Sequence, residues 1–120
     1  MARVPKSWLK GAVDNKYRAK KIEVDGLTFD SQKEAARWFD LLNLHRAGMI
    51  TDLQRQVRFD LHGQHMPLVS DKGCRLSYVA DFVYRRDGVQ VIEDAKGFKT
   101  QEYKLKKAIL RAMGLEIVEV

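Results

Sequence analysis

Cysteine and proline are scarce in this chain of 120 residues, and long hydrophobic runs are absent from it. The single cysteine, Cys74, cannot form an internal disulfide, which favours a reducing, cytoplasmic setting. No stretch approaches the roughly 20 apolar residues that cross a bilayer, and the first residues lack the apolar core of a signal peptide. The eight glycines are isolated from one another, so the sequence has no glycine-rich phosphate-binding loop. These absences predict one cytoplasmic domain with no membrane partner.

Positive charge is unevenly distributed along the chain. Residues 1–22 hold seven of the 22 Lys and Arg residues but one of the 16 acids, which accounts for the whole net charge of +6. Residues 23–120 are neutral overall. We interpret residues 1–20 as a basic N-terminal arm and residues 21–120 as one domain. A basic arm on a neutral body favours contact with nucleic-acid phosphates, whereas the simpler alternative is a solvated terminus that aids solubility.

The first part of the domain carries the signals of a hairpin and a helix. Residues 21–29 read as two short strands around Asp25-Gly26, a dipeptide typical of two-residue β-turns. Residues 32–46 have helical periodicity and are followed by Gly48, a typical stop residue. The predicted buried stripe of this helix consists of Ala35, Trp38, Phe39, Leu41 and Leu42.

The second part of the domain predicts three strands, a helix and a last strand. The three strands lie over residues 54–61, 79–84 and 89–95, the helix over 101–113 and the last strand over 115–120. The three strands would form an antiparallel meander, and the helix would cross over to return the last strand to the sheet. With the first helix packed on it, this is an α/β or α+β fold, and we favour α/β with a mixed sheet flanked by helices.

Two aspartates lie inside the apolar strands. Asp94 follows Asp81 by thirteen positions, and the intervening Asp87-Gly88 turn would bring both acids to the same end of adjacent strands. Close carboxylates repel one another unless a cation lies between them, and hard cations such as Mg²⁺ prefer oxygen ligands. Lys96 would share the face of Asp94 and stabilise a developing negative charge or activate a water. The alternative is a salt bridge between Lys96 and an acid at the sheet edge.

A third acid lies at the start of the first helix. Glu34 shares a helical face with Trp38 and Leu41, so it lies on the predicted buried stripe, where an acid is unusual. A helix N-terminus that points at the sheet would carry Glu34 to the site of the two aspartates. Ser31 and Glu34 also have the spacing of a capping box, which by itself explains the glutamate. Both roles stay open, and they are compatible.

The second helix is predicted to carry a basic face. Thr100, its N-cap, recurs with Lys104, Lys107 and Arg111 at three- and four-residue spacing, and Lys99 precedes them. Such a face would suit a phosphate backbone, although it could also be the solvated side of the helix. The predicted apolar side consists of Leu105, Ile109 and Ala112, with Ala108 and Met113.

Zinc and thiol chemistry are not expected. His62 and His65 have half the spacing of a zinc site, but the remaining candidate ligands are Cys74 and the distant His45. Cys74 lies in a polar loop and has no evident base beside it.

The ordered set of Glu34, Asp81, Asp94 and Lys96 resembles the PD-(D/E)xK nuclease superfamily. The core order of that superfamily is αβββαβ, and residues 31–120 match it almost completely. Small phage-encoded proteins of otherwise unassigned function are similar through the phrases KYRAKK, DGLTFDSQKEA, YVADFVY, EDAKGFKT and EIVEV. Archaeal Holliday-junction resolvases are similar in size and layout but match less well. Ala80 replaces the proline of the superfamily motif, at a position that does not hold the metal.

The resemblance implies a restriction-endonuclease-like core that hydrolyses DNA phosphodiester bonds with Mg²⁺ or Mn²⁺. It assigns metal ligation to Asp81, Asp94 and the backbone carbonyl of Ala95, with Glu34 as a further ligand, and it gives Lys96 the role of orienting or activating the water. Contacts to the DNA backbone would come from Lys16, Arg18, Lys20 and Lys21 near the arm and from Lys99, Thr100, Lys104 and Lys107 at the second helix.

The resemblance also implies a phage or prophage origin, with action in the bacterial cytoplasm during recombination, replication or packaging. Little in the sequence reads base edges, so we expect preference for DNA structure over base sequence. A branched substrate such as a four-way junction would favour a homodimer, because paired cuts need two sites. The alternatives are a non-catalytic DNA-binding or assembly module of the same fold and an RNA-processing nuclease.

Overall fold

In a computed structural model that describes residues 21–95 and 98–120, the chain divides into two units, residues 1–50 and residues 51–120. The first unit contains β1 (Ile22–Val24), β2 (Leu27–Phe29) and α1 (Gln32–Arg46). The second unit contains β3 (Thr51–Asp60), β4 (Ser77–Arg86), β5 (Val89–Asp94), α2 (Gln101–Ala112) and β6 (Ile117–Glu119). The basic arm predicted over residues 1–20 lies outside the described residues.

The predicted first hairpin is confirmed. Strands β1 and β2 pair antiparallel with Val24 opposite Leu27. The two turn residues have positive φ, 51° at Asp25 and 78° at Gly26. Positive φ at both central residues is the requirement of a type I′ turn, which explains why Asp-Gly connects the strands.

Helix α1 has the predicted bounds and packs on the hairpin. Its N-cap is Ser31, whose hydroxyl accepts a hydrogen bond from the backbone N–H of Glu34 at 3.1 Å. Ala35 is fully buried and packs with Ile22, Val24 and Phe29, while Trp38, Phe39 and Leu27 pack around them half-buried. Three residues of the predicted stripe, Ala35, Trp38 and Phe39, therefore belong to the small core of the first unit.

The second unit is built on a four-stranded mixed sheet in the order β3-β4-β5-β6. Strands β3, β4 and β5 form the predicted antiparallel meander. Strand β6 pairs parallel with β5, as expected for a strand returned by a crossover helix. The turn between β4 and β5 is again Asp-Gly, with φ of 52° at Asp87 and 77° at Gly88.

Strand β3 begins earlier than the sequence predicts. It starts at Thr51, which pairs with Arg85, and its register shifts between Thr51 and Gln54. Asp52 lies in this irregular stretch with φ of 53°. Apolar and polar residues alternate regularly only after this irregular stretch, so the sequence pattern gave no signal for the first residues of β3.

Helix α2 covers one face of the sheet through a stripe that differs from the predicted one. Tyr103 and Leu110 are buried and join a core with Val83, Ile92 and Ile117. The predicted contact residue Leu105 is 63% exposed, and Ala108 and Ala112 are also exposed. Apolar residues surround much of this helix, so periodicity alone allowed two stripes, and the prediction for these three positions was wrong.

None of the helices in the described part of the chain is long and apolar enough to cross a membrane.

Candidate functional site

Asp81 lies in the middle of β4, within a run of buried residues. Its Oδ2 accepts a hydrogen bond from the backbone N–H of Ala95 at 2.9 Å. Its Oδ1 accepts a bond from the side-chain amide of Gln56 on β3 at 3.4 Å. The carboxylate therefore joins three neighbouring strands at one point, just past the end of β5.

Asp94 is the last residue of β5 and is fully buried. Its Oδ2 accepts a hydrogen bond from the hydroxyl of Tyr78 on β4. The last pair of the β4–β5 ladder here is Phe82 with Glu93, so Asp81 and Asp94 come next on the two strands. Residues at such positions face the same side of a sheet. The two strands thus bring together the acids that the sequence singled out.

Two buried tyrosines near these acids have raised pKa values, mainly because they are buried. Burial raises the pKa of Tyr78 far above its usual value, and the hydrogen bond to Asp94 and the charges of Asp94 and Asp81 raise it further. Burial also raises the pKa of Tyr103, followed by its hydrogen bond to Glu119 and the charge of Asp94. Both hydroxyls therefore stay protonated and act as hydrogen-bond donors near the carboxylates.

Gln56 belongs to the site but was missed from the sequence. It lies opposite Asp81, between the paired residues Arg55 and Val57, and has φ of 55°. Left-handed backbone is rare for a residue other than glycine, and such outliers cluster at functional sites. In the sequence Gln56 is one more polar residue of an alternating strand, and no local pattern distinguishes it.

Glu93 is kept apart from the two aspartates. It precedes Asp94 and accepts a hydrogen bond from the hydroxyl of Tyr84, and its side chain is buried. Because successive residues of a strand face opposite sides, Glu93 faces away from the site.

The predicted residue Glu34 belongs to the first unit. Its side chain is 2% exposed, and its backbone N–H is bonded to the N-cap hydroxyl of Ser31. This bond is one half of the predicted capping box. The role of Glu34 as a metal ligand stays a prediction.

Several predicted residues lie outside the described part of the chain: Lys96, Lys16, Arg18 and Lys20. Lys21 is described, and its ammonium lies 4.0 Å from the carboxylate of Asp30 with both side chains exposed. Exposed pairs at this distance contribute little, so Lys21 is available to other anions.

The predicted basic face of α2 lines a cleft of about 310 Å³. Lys104, Lys107 and Arg111 line this cleft together with Lys99, which precedes the helix. Thr100 has a structural task, because its hydroxyl accepts a hydrogen bond from the backbone N–H of Tyr103 at 3.0 Å. The cleft is therefore rich in cationic groups, as a site for a phosphate backbone requires.

One carboxylate lies among these cations. Hydrogen bonds from Lys99 and then from Tyr103 hold the pKa of Glu119 at about 2, well below its usual value, with a further contribution from Lys107. Glu119 is therefore ionised at any pH at which the protein would work.

The donor set at the two aspartates suits a hard divalent cation. Two carboxylates and the backbone carbonyl of Ala95 offer oxygen ligands, and Mg²⁺ typically takes one or two carboxylates and keeps several waters. Among residues 21–95 and 98–120, no three His, Cys, Asp or Glu side chains cluster closely enough to hold a metal ion by themselves. A cation here would thus rely on backbone and solvent oxygen beside Asp81 and Asp94.

Comparison with known proteins gives one match. The family model described as a protein of unknown function, DUF1064, matches residues 14–118, which is most of the chain. The chain belongs to this family. No match is found among curated proteins or among solved structures. The DUF1064 match covers all of the elements described above except the last residue of β6, but it does not state an activity.

Proposed function

We propose that this DUF1064 protein is a metal-dependent endonuclease that hydrolyses DNA phosphodiester bonds. The observation that carries the proposal is the hydrogen bond from the N–H of Ala95 to Asp81, which ties the acid of β4 to the strand end that bears Asp94. Two buried acids on adjacent strands, beside a cleft lined by cations, are an arrangement suited to phosphodiester chemistry.

The order of the elements supports a restriction-endonuclease-like core. From α1 onward the chain runs through one helix, three antiparallel strands, a second helix and a last parallel strand. This is the order αβββαβ of the PD-(D/E)xK superfamily, and Asp81 and Asp94 lie on its second and third strands.

In this proposal Asp81, Asp94 and the carbonyl of Ala95 would hold Mg²⁺ or Mn²⁺. The bound cation supplies stabilisation of the negative charge that develops on the phosphate. Gln56 and the Ala95 N–H orient the carboxylate of Asp81, and the hydroxyl of Tyr78 orients that of Asp94. Such hydrogen-bonded partners fix the direction of ligands that would otherwise rotate.

The remaining proposed residues act on the water and on DNA. Lys96 would orient or activate the attacking water, and Glu34 would add a further ligand. The cations of α2 would bind the DNA backbone, which positions the strand without reading its bases. A phage role on branched DNA, with a homodimer making paired cuts, is part of this proposal.

A cleavage assay with Asp94→Asn tests the proposal. The substitution removes one charged ligand and keeps the shape of the side chain, so we expect cleavage to fall by at least about a thousandfold. DNA binding, measured separately in EDTA, should change by less than about threefold because the cleft is unchanged. Asp87→Asn, which makes the same charge change in an exposed turn, is the matched control and should cleave normally. Full activity in Asp94→Asn would exclude the proposed site.

A non-catalytic DNA-binding or assembly module is the second candidate. The observation in its favour is that Asp81 and Asp94 each accept hydrogen bonds from the protein, as purely structural acids do. On this view the acids would not bind Mg²⁺, and DNA would be bound in all conditions but never cut.

A further inference from the structure

The cleft beside α2 contains an anion that belongs to the protein. Lys99, Lys104, Lys107 and Arg111 contribute four cationic groups, and Glu119 contributes one carboxylate. The cleft therefore has an excess of three positive charges even with Glu119 in place. Its volume, about 310 Å³, is at the lower end of the range of small-ligand pockets.

Glu119 is held as a bound anion would be. The ammonium of Lys99 lies 2.9 Å from its Oε1, and the ammonium of Lys107 lies 3.2 Å from its Oε2. The hydroxyl of Tyr103 donates a further hydrogen bond to Oε2 at 2.8 Å. Three donors thus converge on two oxygens, an arrangement that also suits two oxygens of a phosphate group.

The other two cations of the cleft are not engaged in this way. Within the described residues, neither Lys104 nor Arg111 forms an ion pair with another residue. Lys106, on the same helix but not in the cleft, is paired with Glu102 at 3.0 Å. Part of the positive charge of the cleft is thus not neutralised by carboxylates of the described residues.

The cleft is adjacent to the candidate metal site. Glu119 on β6 is the direct partner of Asp94 on β5, and partners on neighbouring strands are about 4.8 Å apart. The ring of Tyr103, which is bonded to Glu119, lies 6.3 Å from the ring of Tyr78, which is bonded to Asp94. A DNA strand at Asp94 would therefore pass the cleft.

We propose that Glu119 occupies a binding site for a backbone phosphate, and that a phosphodiester group of DNA displaces its carboxylate from Lys99 and Lys107. This inference rests on the proposed function for the identity of the ligand as DNA. Glu119 then weakens DNA binding, because each bound phosphate must first break its two ion pairs. The carboxylate would disfavour loosely bound, non-specific DNA. Only a DNA strand that also fills the neighbouring candidate metal site would displace it.

Fluorescence anisotropy in EDTA tests this inference without any cleavage. The probes are a labelled duplex with hydroxyl ends and a labelled single strand with either a 5′-phosphate or a 5′-hydroxyl. Glu119→Gln should bind the duplex about threefold to tenfold more tightly than the wild type at moderate salt. Glu116→Gln, an equal charge change at an exposed position three residues away, is the matched control and should change affinity by less than about twofold.

Lysine variants keep the test decisive if Glu119→Gln does not fold. Lys107→Met should weaken binding and reduce the slope of log affinity against log salt by about one, the loss of one phosphate contact. Lys106→Met, the control on the same helix, should leave the slope unchanged. Equal effects of Lys107→Met and Lys106→Met, or weaker binding by folded Glu119→Gln, would overturn the inference.

The two single strands identify the phosphate. Equal binding with and without the 5′-phosphate supports a backbone diester, whereas a preference for the 5′-phosphate that Glu119→Gln enlarges would overturn this assignment in favour of a terminal phosphate. Because every measurement is made in EDTA, failure of this inference does not affect cleavage by the wild type. Equally, absence of cleavage would leave these binding results standing.

Discussion

The stability of Asp94→Asn separates a metal ligand from a structural acid. In the wild type, the neighbouring charges of Asp81 and Asp94 repel one another when no cation is bound. At about 5 Å and an effective dielectric constant of about 20, the repulsion is about 3 kcal/mol. The substitution removes this repulsion but weakens the hydrogen bond from Tyr78, because an acceptor that was charged becomes neutral, at a cost of about 1 kcal/mol.

The metal-free variant should therefore be about 1–2 kcal/mol more stable than the wild type, which raises Tm by about 4–8 °C. Mg²⁺ should narrow this difference at ten times its Kd and reverse the order at a hundred times its Kd. At ten to a hundred times its Kd, a ligand stabilises the protein that binds it by about 1.4–2.7 kcal/mol. The wild type should gain this amount, and Asp94→Asn should gain almost nothing.

Thermal melts in EDTA and over a series of Mg²⁺ and Mn²⁺ concentrations measure both effects. Asp87→Asn is again the matched control, because asparagine is well tolerated in the Asp87-Gly88 turn and the charge change is the same. Metal binding by Asp94 is refuted if Asp94→Asn melts below the wild type in EDTA and neither metal changes the Tm of the wild type. Asp94 would then be a structural acceptor for Tyr78.

Three further predictions concern Glu34, Tyr78 and Glu119. If Glu34 is a metal ligand, Glu34→Gln should cleave DNA more slowly at an unchanged Tm, because glutamine preserves the capping box. Ser31→Ala should lose about 1 kcal/mol of stability and cleave normally. Equal cleavage by both variants would leave Glu34 only its capping role. Tyr78→Phe should lower the unfolding free energy in urea by about 1.5–3 kcal/mol, since a hydrogen bond to buried Asp94 is lost, and an unchanged midpoint would contradict that bond. The pKa of Glu119 is lowered from 4.5 to about 2, mainly by a lysine ammonium, so its ion pairs stabilise the fold above pH 4.5 and are lost as pH falls towards 2. The Tm difference between wild type and Glu119→Gln should therefore shrink between pH 5 and pH 2, and a constant difference would count against these pairs.

Local sequence signals predicted the helices, the strands and their order along the chain well. Asp-Gly at two hairpins, Ser31 and Thr100 as N-caps and the alternation of β3 act over a few residues, and the structure confirms each of them. The position of Asp81 and Asp94 on adjacent strands follows from the second hairpin, because its turn sets the register.

The partners of the acids could not be predicted, because they depend on contacts between distant parts of the chain. Gln56, which has an unusual positive φ, is hydrogen-bonded to Asp81, 25 positions further along the chain. Tyr103 is hydrogen-bonded to Glu119, 16 positions further along. The buried stripe of α2 likewise depends on which of its side chains pack against the sheet. Tyr103 does so and is buried, whereas Leu105 is exposed.

Cleavage of a panel of labelled DNAs by the wild-type protein tests the central claim most directly. The panel comprises linear duplex, single strand and four-way junction, each incubated with Mg²⁺, with Mn²⁺ or with EDTA. We predict cutting of at least one substrate in the presence of either metal, faster on the junction than on the linear duplex, and none in EDTA. Binding of every substrate without cutting in either metal would contradict the nuclease and favour the non-catalytic module.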